Sequence, residues 1–180
     1  MDVSFSKLTP QQKEGVVENL EIRRRRFEHL VLKKGKFSKE FPQPRVTIVG
    51  DRPGPSAPID PSYHHTPFYS TSHCSGWLNS LLFLEGIDEN ILSWVNAYDR
   101  NGNPTDISIV DDLANTYEPS IIALGANAEK WLVKNGYAGY LRVDHPQYHK
   151  RFKNKQYYPL IRGIMDITSP VPCSWTPYFP

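Results

Sequence analysis

Two short β-branched, apolar runs, at residues 46–49 and 140–143, each end abruptly in a polar loop. The first loop is Gly50-Asp51-Arg52-Pro53-Gly54 and the second is Asp144-His145-Pro146-Gln147-Tyr148. Each therefore reads as a polar loop at the carboxyl end of a strand. Further strand runs at 91–97 and 120–124 alternate with helical patterns at 75–84, 107–116 and 126–134, the last closed by Asn135-Gly136. A helix around 158–165 comes after the final strand. This alternation predicts an α/β fold, a three-layer αβα sandwich around a short, mostly parallel central sheet. In such sheets ligands bind beyond the carboxyl ends of the strands. The two loops therefore predict one site, assembled from both ends of the domain.

The amino-terminal region has a different character. Thr9-Pro10-Gln11-Gln12 has the form of a helix start, with Thr9 as cap, Pro10 in the first turn and Gln12 closing a capping box. The helix is expected to run to about residue 30. It contains Arg23-Arg24-Arg25-Arg26, which must point in several directions, some toward phosphates and some toward solvent. The net charge of +2 is unevenly spread. Residues 1–45 carry 11 Lys/Arg against 6 Asp/Glu, residues 46–141 carry 4 against 11, and residues 142–180 carry 6 against 2. Clustered positive charge suits a polyanion such as nucleic acid, and a solvated basic helix is the plainer alternative.

With 180 residues, one domain with a proper core is expected. The 16 prolines imply long loops, and no apolar stretch approaches the length of a membrane span. The first residues lack a signal-peptide pattern, and Cys74 and Cys173 are too few for a disulfide scaffold or a four-thiolate cluster. An intracellular, cytoplasmic chain is the expectation, with no membrane partner. His64, His65, His73 and His149 match no zinc-ligand spacing, so no metal is expected, and Cys74 beside His73 is a weak nucleophile pair.

The ordered motifs resemble those of the uracil-DNA glycosylase superfamily, most closely the branch whose first motif reads Gly-Glu-Ala-Pro-Gly. Val49-Gly50-Asp51-Arg52-Pro53-Gly54 is similar to that motif. His65-Thr66-Pro67-Phe68 and the Cys74-Ser75-Gly76-Trp77 helix resemble the family's Pro-Phe stretch and its next helix. Trp94-Val95-Asn96-Ala97 corresponds to the strand bearing a base-reading Asn, and Pro119-Ser120-Ile121-Ile122-Ala123-Leu124-Gly125-Ala126-Asn127-Ala128 to a strand-turn-helix. His145-Pro146 matches the second catalytic motif. The likeness spans roughly residues 46–155. It implies a catalytic domain over 46–168, preceded by a basic helix and linker over 1–45 and followed by a Pro/aromatic-rich tail over 169–180.

The resemblance implies hydrolysis of the N-glycosidic bond of a flipped uracil or 5-modified pyrimidine in DNA, without a cofactor. Such chemistry needs a base drawn from the stack, a stabilised anionic leaving base and an oxocarbenium-like sugar. Phe68 would stack on the base, Asn96 would read it, and His145 would stabilise the oxyanion. Asp51 would orient water, with Gly50, Pro53 and Gly54 completing the cradle. Arg52, Ser75, Gln147, Tyr148, His149, Lys150 and Arg151 would meet DNA, with Tyr148 or His149 filling the vacated stack. Each residue also has a plainer reading: Phe68 as core, Asn96 or Asp51 as a turn cap, His145 as a structural imidazole. The motif set favours function for Asn96 and His145 and leaves Asp51 open.

The departures from the family are specific. Arg52 stands where relatives carry Ala or a catalytic Asp, and Gly54 replaces the bulky Tyr with which the classical uracil enzymes exclude thymine's methyl. The iron–sulfur cysteines of the closest branch are absent, so no such cluster is expected. Alternatives are a member that binds DNA or a nucleotide without cleaving it, one acting on a modified viral base or free nucleotide, and a protein-interaction domain using the 169–180 tail. A bacterial or viral setting fits equally.

Overall fold

The computed structural model describes residues 3–54, 68–114, 120–153 and 157–169. Helix α1 (Pro10–Phe27) starts at the expected capping box: the Thr9 hydroxyl accepts from Gln12 N at 3.2 Å, and Thr9 N donates to Gln12 Oε1 at 3.0 Å. It continues into a π-helical turn at Glu28–Leu32. Then come β1 (Val46–Gly50), α2 (His73–Leu84), β2 (Leu92–Asn96), α3 (Ser108–Leu113), β3 (Ile121–Leu124), α4 (Ala126–Lys134), β4 (Leu141–Val143), α5 (Pro146–Phe152) and α6 (Pro159–Thr168). The four strands form one all-parallel sheet in the order β2-β1-β3-β4.

Strand periodicity sorts the core into two faces. Ile48, Trp94, Ile122 and Leu124 pack with α2 and α6 through Trp77, Leu78, Leu160 and Ile164. Val49, Val95, Ile121 and Ala123 pack on the other side with Val110, Leu113, Trp131, Leu132 and the Phe27–Val31 end of the first helix. Helices thus cover both faces of the sheet, giving the three layers that the strand–helix alternation predicts. The chain leaves β1 toward β2 and leaves β3 toward β4, so the crossovers diverge between β1 and β3. That divergence opens a crevice at the carboxyl edge, where Asp51 and His145 lie.

Two local expectations change. The segment after His145 reads as a loop in sequence, yet Pro146 opens a seven-residue helix, α5, capped by His145. Proline at the first helical position is compatible with that start because its missing N–H is one the helix does not use. The arginine run is mainly structural. Arg23 and Arg26 are buried, at 2% and 3% exposure. Arg23 pairs with Glu89, while Arg26 donates to the carbonyls of Leu92 and Pro42, each at 3.0 Å. Arg24 pairs with Glu21 and Glu28, whereas Arg25 is exposed. No helix among the described residues is long and apolar enough to cross a membrane. His64, His65, Pro67, Pro119, Cys173 and the tail beyond residue 169 lie outside the described residues.

Candidate active site

The floor of the crevice is built where β1 and β2 end in register, Gly50 beside Asn96. The ladder continues past both strands: Ala97 N donates to Gly50 O and Tyr98 N to Asp51 O, each at 2.9 Å. This holds the start of the Gly50–Gly54 loop against β2. Asn96 lies two residues beyond Trp94 and so takes the α2 side of the sheet. Its backbone oxygen accepts from Thr105 Oγ1 at 2.7 Å. Its side chain lines the cleft at 2% exposure, and its Nδ2 has no hydrogen-bond partner among the described residues. An unpaired buried donor costs about 1–3 kcal/mol, which an acceptor on a bound ligand would recover.

His145 stands where β4 turns into α5. The Tyr158 hydroxyl donates to Asp144 O at 2.6 Å and holds that corner. Gly125, at φ +93°, donates its N–H to Val143 O at 2.8 Å. A Cβ on Gly125 would come to 3.0 Å from His145 Cβ, so a glycine lets the two strand ends meet. Gln147 N donates to His145 Nδ1 at 3.1 Å. In the neutral ring this leaves the proton on Nε2, a donor free for the cleft. Burial pushes the imidazole below its ordinary 6.5, with the Asp51 carboxylate opposing that shift. Neutral imidazole is the favoured form at neutral pH.

Phe68 forms the wall, its ring 5.6 Å from that of His145 and edge-on to Trp94 at 6.2 Å. Its backbone is left-handed, φ +55°, a conformation that a bulky side chain adopts only under constraint. Its carbonyl accepts from Asn79 Nδ2 at 2.7 Å, from Ser70 N at 2.9 Å and from Arg23 Nη1 at 3.4 Å. Asp51 is half-buried, and its Oδ2 accepts from Asn127 Nδ2 at 3.0 Å, across the gap between β1 and β3.

Gly50 underlies this arrangement, while Pro53, Gly54 and exposed Arg52 line the cleft mouth. A Cβ on Gly54 would meet no described atom within 4 Å, so the position has open space. Ser75, in the first turn of α2, is half-buried in the wall; Gln147, Tyr148, Lys150 and Arg151 line the α5 side. His149 departs from its expected role. It is 5% exposed and packed between Trp77 and Tyr158, at ring separations of 6.1 and 4.9 Å, and so cannot fill a vacated base stack. Facing the interior, it anchors α5. Burial pushes the Cys74 thiol up to about 11, the reverse of what a nucleophile needs. Among the described residues no group of three or more His, Cys, Asp or Glu is placed to hold a metal ion.

Sequence reasoning missed Asn127, Asn79, Arg23 and Arg100. Asn127 had a visible signal, a polar residue just after the Gly125 turn at a strand's carboxyl end. Arg100 lies in the Asp99–Asn103 turn and reaches the cleft. No protein-family model matches the chain, and no curated protein is significantly similar to it.

Proposed function

We propose that this cleft hydrolyses the N-glycosidic bond of a flipped uracil or 5-substituted pyrimidine in DNA. The observation that carries the reading is the buried Asn96 Nδ2, without a hydrogen-bond partner among the described residues, in a pocket shared with an aromatic wall and a neutral imidazole. A pyrimidine face would lie on Phe68, with the carbonyl at position 4 accepting from Asn96 Nδ2. As the bond from the sugar carbon to base N1 breaks, its electron pair leaves with the base. The charge gathers on the base oxygen at position 2, where His145 Nε2–H would donate to it. The sugar becomes oxocarbenium-like, and the Asp51 carboxylate opposes that charge. Asn127 occupies one lone pair of Asp51, leaving the others to align a water that adds to the sugar carbon and gives its proton to the carboxylate, which passes it through solvent to the departed base anion.

A second reading is binding of DNA or a nucleotide without cleavage. It draws on the same Asn127–Asp51 bond, which gives Asp51 a structural task. Labelled strands carrying uracil, 5-hydroxymethyluracil or thymine, single-stranded and opposite A or G, separate the two. Alkali-sensitive sites that disappear in Asn96→Ala and Asp51→Asn support hydrolysis. Intact strands with every base, bound as tightly by Asp51→Asn as by the original protein, support the second reading.

A further inference from the structure

The cleft is larger than a single base requires and, among its described lining residues, more cationic. Its volume, ≈ 1290 Å³, exceeds the roughly 300–1,000 Å³ of ordinary small-molecule pockets. Residues 46–141 hold only four Lys/Arg, and both arginines, Arg52 and Arg100, line it. Lys150 and Arg151 line it from α5. Asp51 is the carboxylate among the described lining residues, and Asn127 engages it. A polyanion fits this balance.

The outer face of α5 adds an aromatic feature that the reaction itself does not use. Tyr148 and Phe152, four residues apart, are 49% and 64% exposed with ring centroids 5.0 Å apart. Tyr148 and Phe152 also line the cleft, and Lys153 Nζ lies 6.0 Å from the Tyr148 ring. Between them in sequence, His149 is locked inside, so the rings ride on an anchored helix. Two large apolar rings held in water beside cations are the elements of a single-strand stacking surface.

We propose that the Tyr148/Phe152 face of α5 stacks unpaired bases flanking the one in the pocket, making single-stranded DNA the preferred ligand of this cleft. The substrate part of this inference rests on the base-excision reading. In a duplex the neighbouring bases are paired and stacked on one another, so their faces are unavailable. In a single strand each offers a π face whatever its identity, while Arg52, Lys150 and Arg151 follow the phosphates.

The test uses the full chain and two undamaged labelled probes of equal length, an oligothymidylate strand and a duplex, with affinity read by fluorescence anisotropy. The original protein should bind the strand more tightly. Tyr148→Ala and Phe152→Ala should each weaken strand binding about tenfold, with little change on the duplex. Tyr148→Phe, which keeps the ring, should behave as the original. Equal or greater loss on the duplex, or no loss on the strand, overturns the proposal. Base release from uracil-bearing versions of both probes is measured alongside. Release that ignores the two rings contradicts the platform alone. Ring-dependent strand binding without release from any probe contradicts the excision reading and upholds the platform.

Discussion

His145 is governed by two local facts, its partial burial and the Gln147 N–H that occupies Nδ1. A proton on Nδ1 would set donor against donor and turn the ring out of place, so catalysis should hold from neutral pH down to 6.5 and fall only below it. Stability carries the same signature. The unfolded chain takes up this proton near 6.5 and the folded one only at lower pH, so between those values the unfolded state binds more protons. Stability should therefore fall as pH drops through that window, and urea midpoints should lose that part of their slope in His145→Ala. Gly125→Ala meets both a φ of +93° and the His145 Cβ. It should cost about 1–3 kcal/mol in urea unfolding and lower kcat more than it raises KM. Gly54 has room to spare, so Gly54→Tyr should fold normally and discriminate against 5-substituted pyrimidines by about 10–200-fold relative to uracil, read as a ratio of kcat/KM.

At the level of elements, β1, β2, β3, α2 and α4 were legible because their patterns are local: β-branched runs, apolar helical faces and an Asn–Gly stop. The two polar loops at strand ends were legible for the same reason, whereas the roles of Asn96 and His145 came from the motif resemblance. What escaped depends on partners far along the chain. Arg23 meets Glu89, 66 residues away, and Asp51 meets Asn127, 76 residues away. No local pattern distinguishes a buried arginine from its exposed neighbour Arg25. The short α5 was hidden because its seven residues show little apolar periodicity. The Arg23–Glu89 pair joins α1 to the β2 entry, with Trp94 Nε1 donating to the same carboxylate at 3.1 Å and its ring beneath the guanidinium at 4.0 Å. Removing one partner strands a buried charge, so Arg23→Ala should destabilise the fold by about 3–5 kcal/mol in denaturant titration. A surface-exposed arginine would leave the midpoint almost unmoved.

Across the whole molecule, the charge pattern makes sense only once folded. The acidic middle of the chain contributes its two arginines to the cleft, and the basic carboxyl-terminal region contributes Lys150 and Arg151. Three phosphate contacts, by Arg52, Lys150 and Arg151, would give single-strand affinity a log–log salt slope of about −2. A flat salt dependence would leave the cleft without its polyanion. In the proposed reaction Asn96, His145, Asp51 and Phe68 act together on one glycosidic bond. It is tested most directly by the intact mass of a single-stranded uracil oligonucleotide incubated with the original protein, Asn96→Ala or His145→Ala. The expected result is exchange of the base for hydroxyl with free uracil in solution, abolished or slowed by orders of magnitude in both variants. An unchanged oligonucleotide mass with the original protein, or base loss equally fast in both variants, would contradict it.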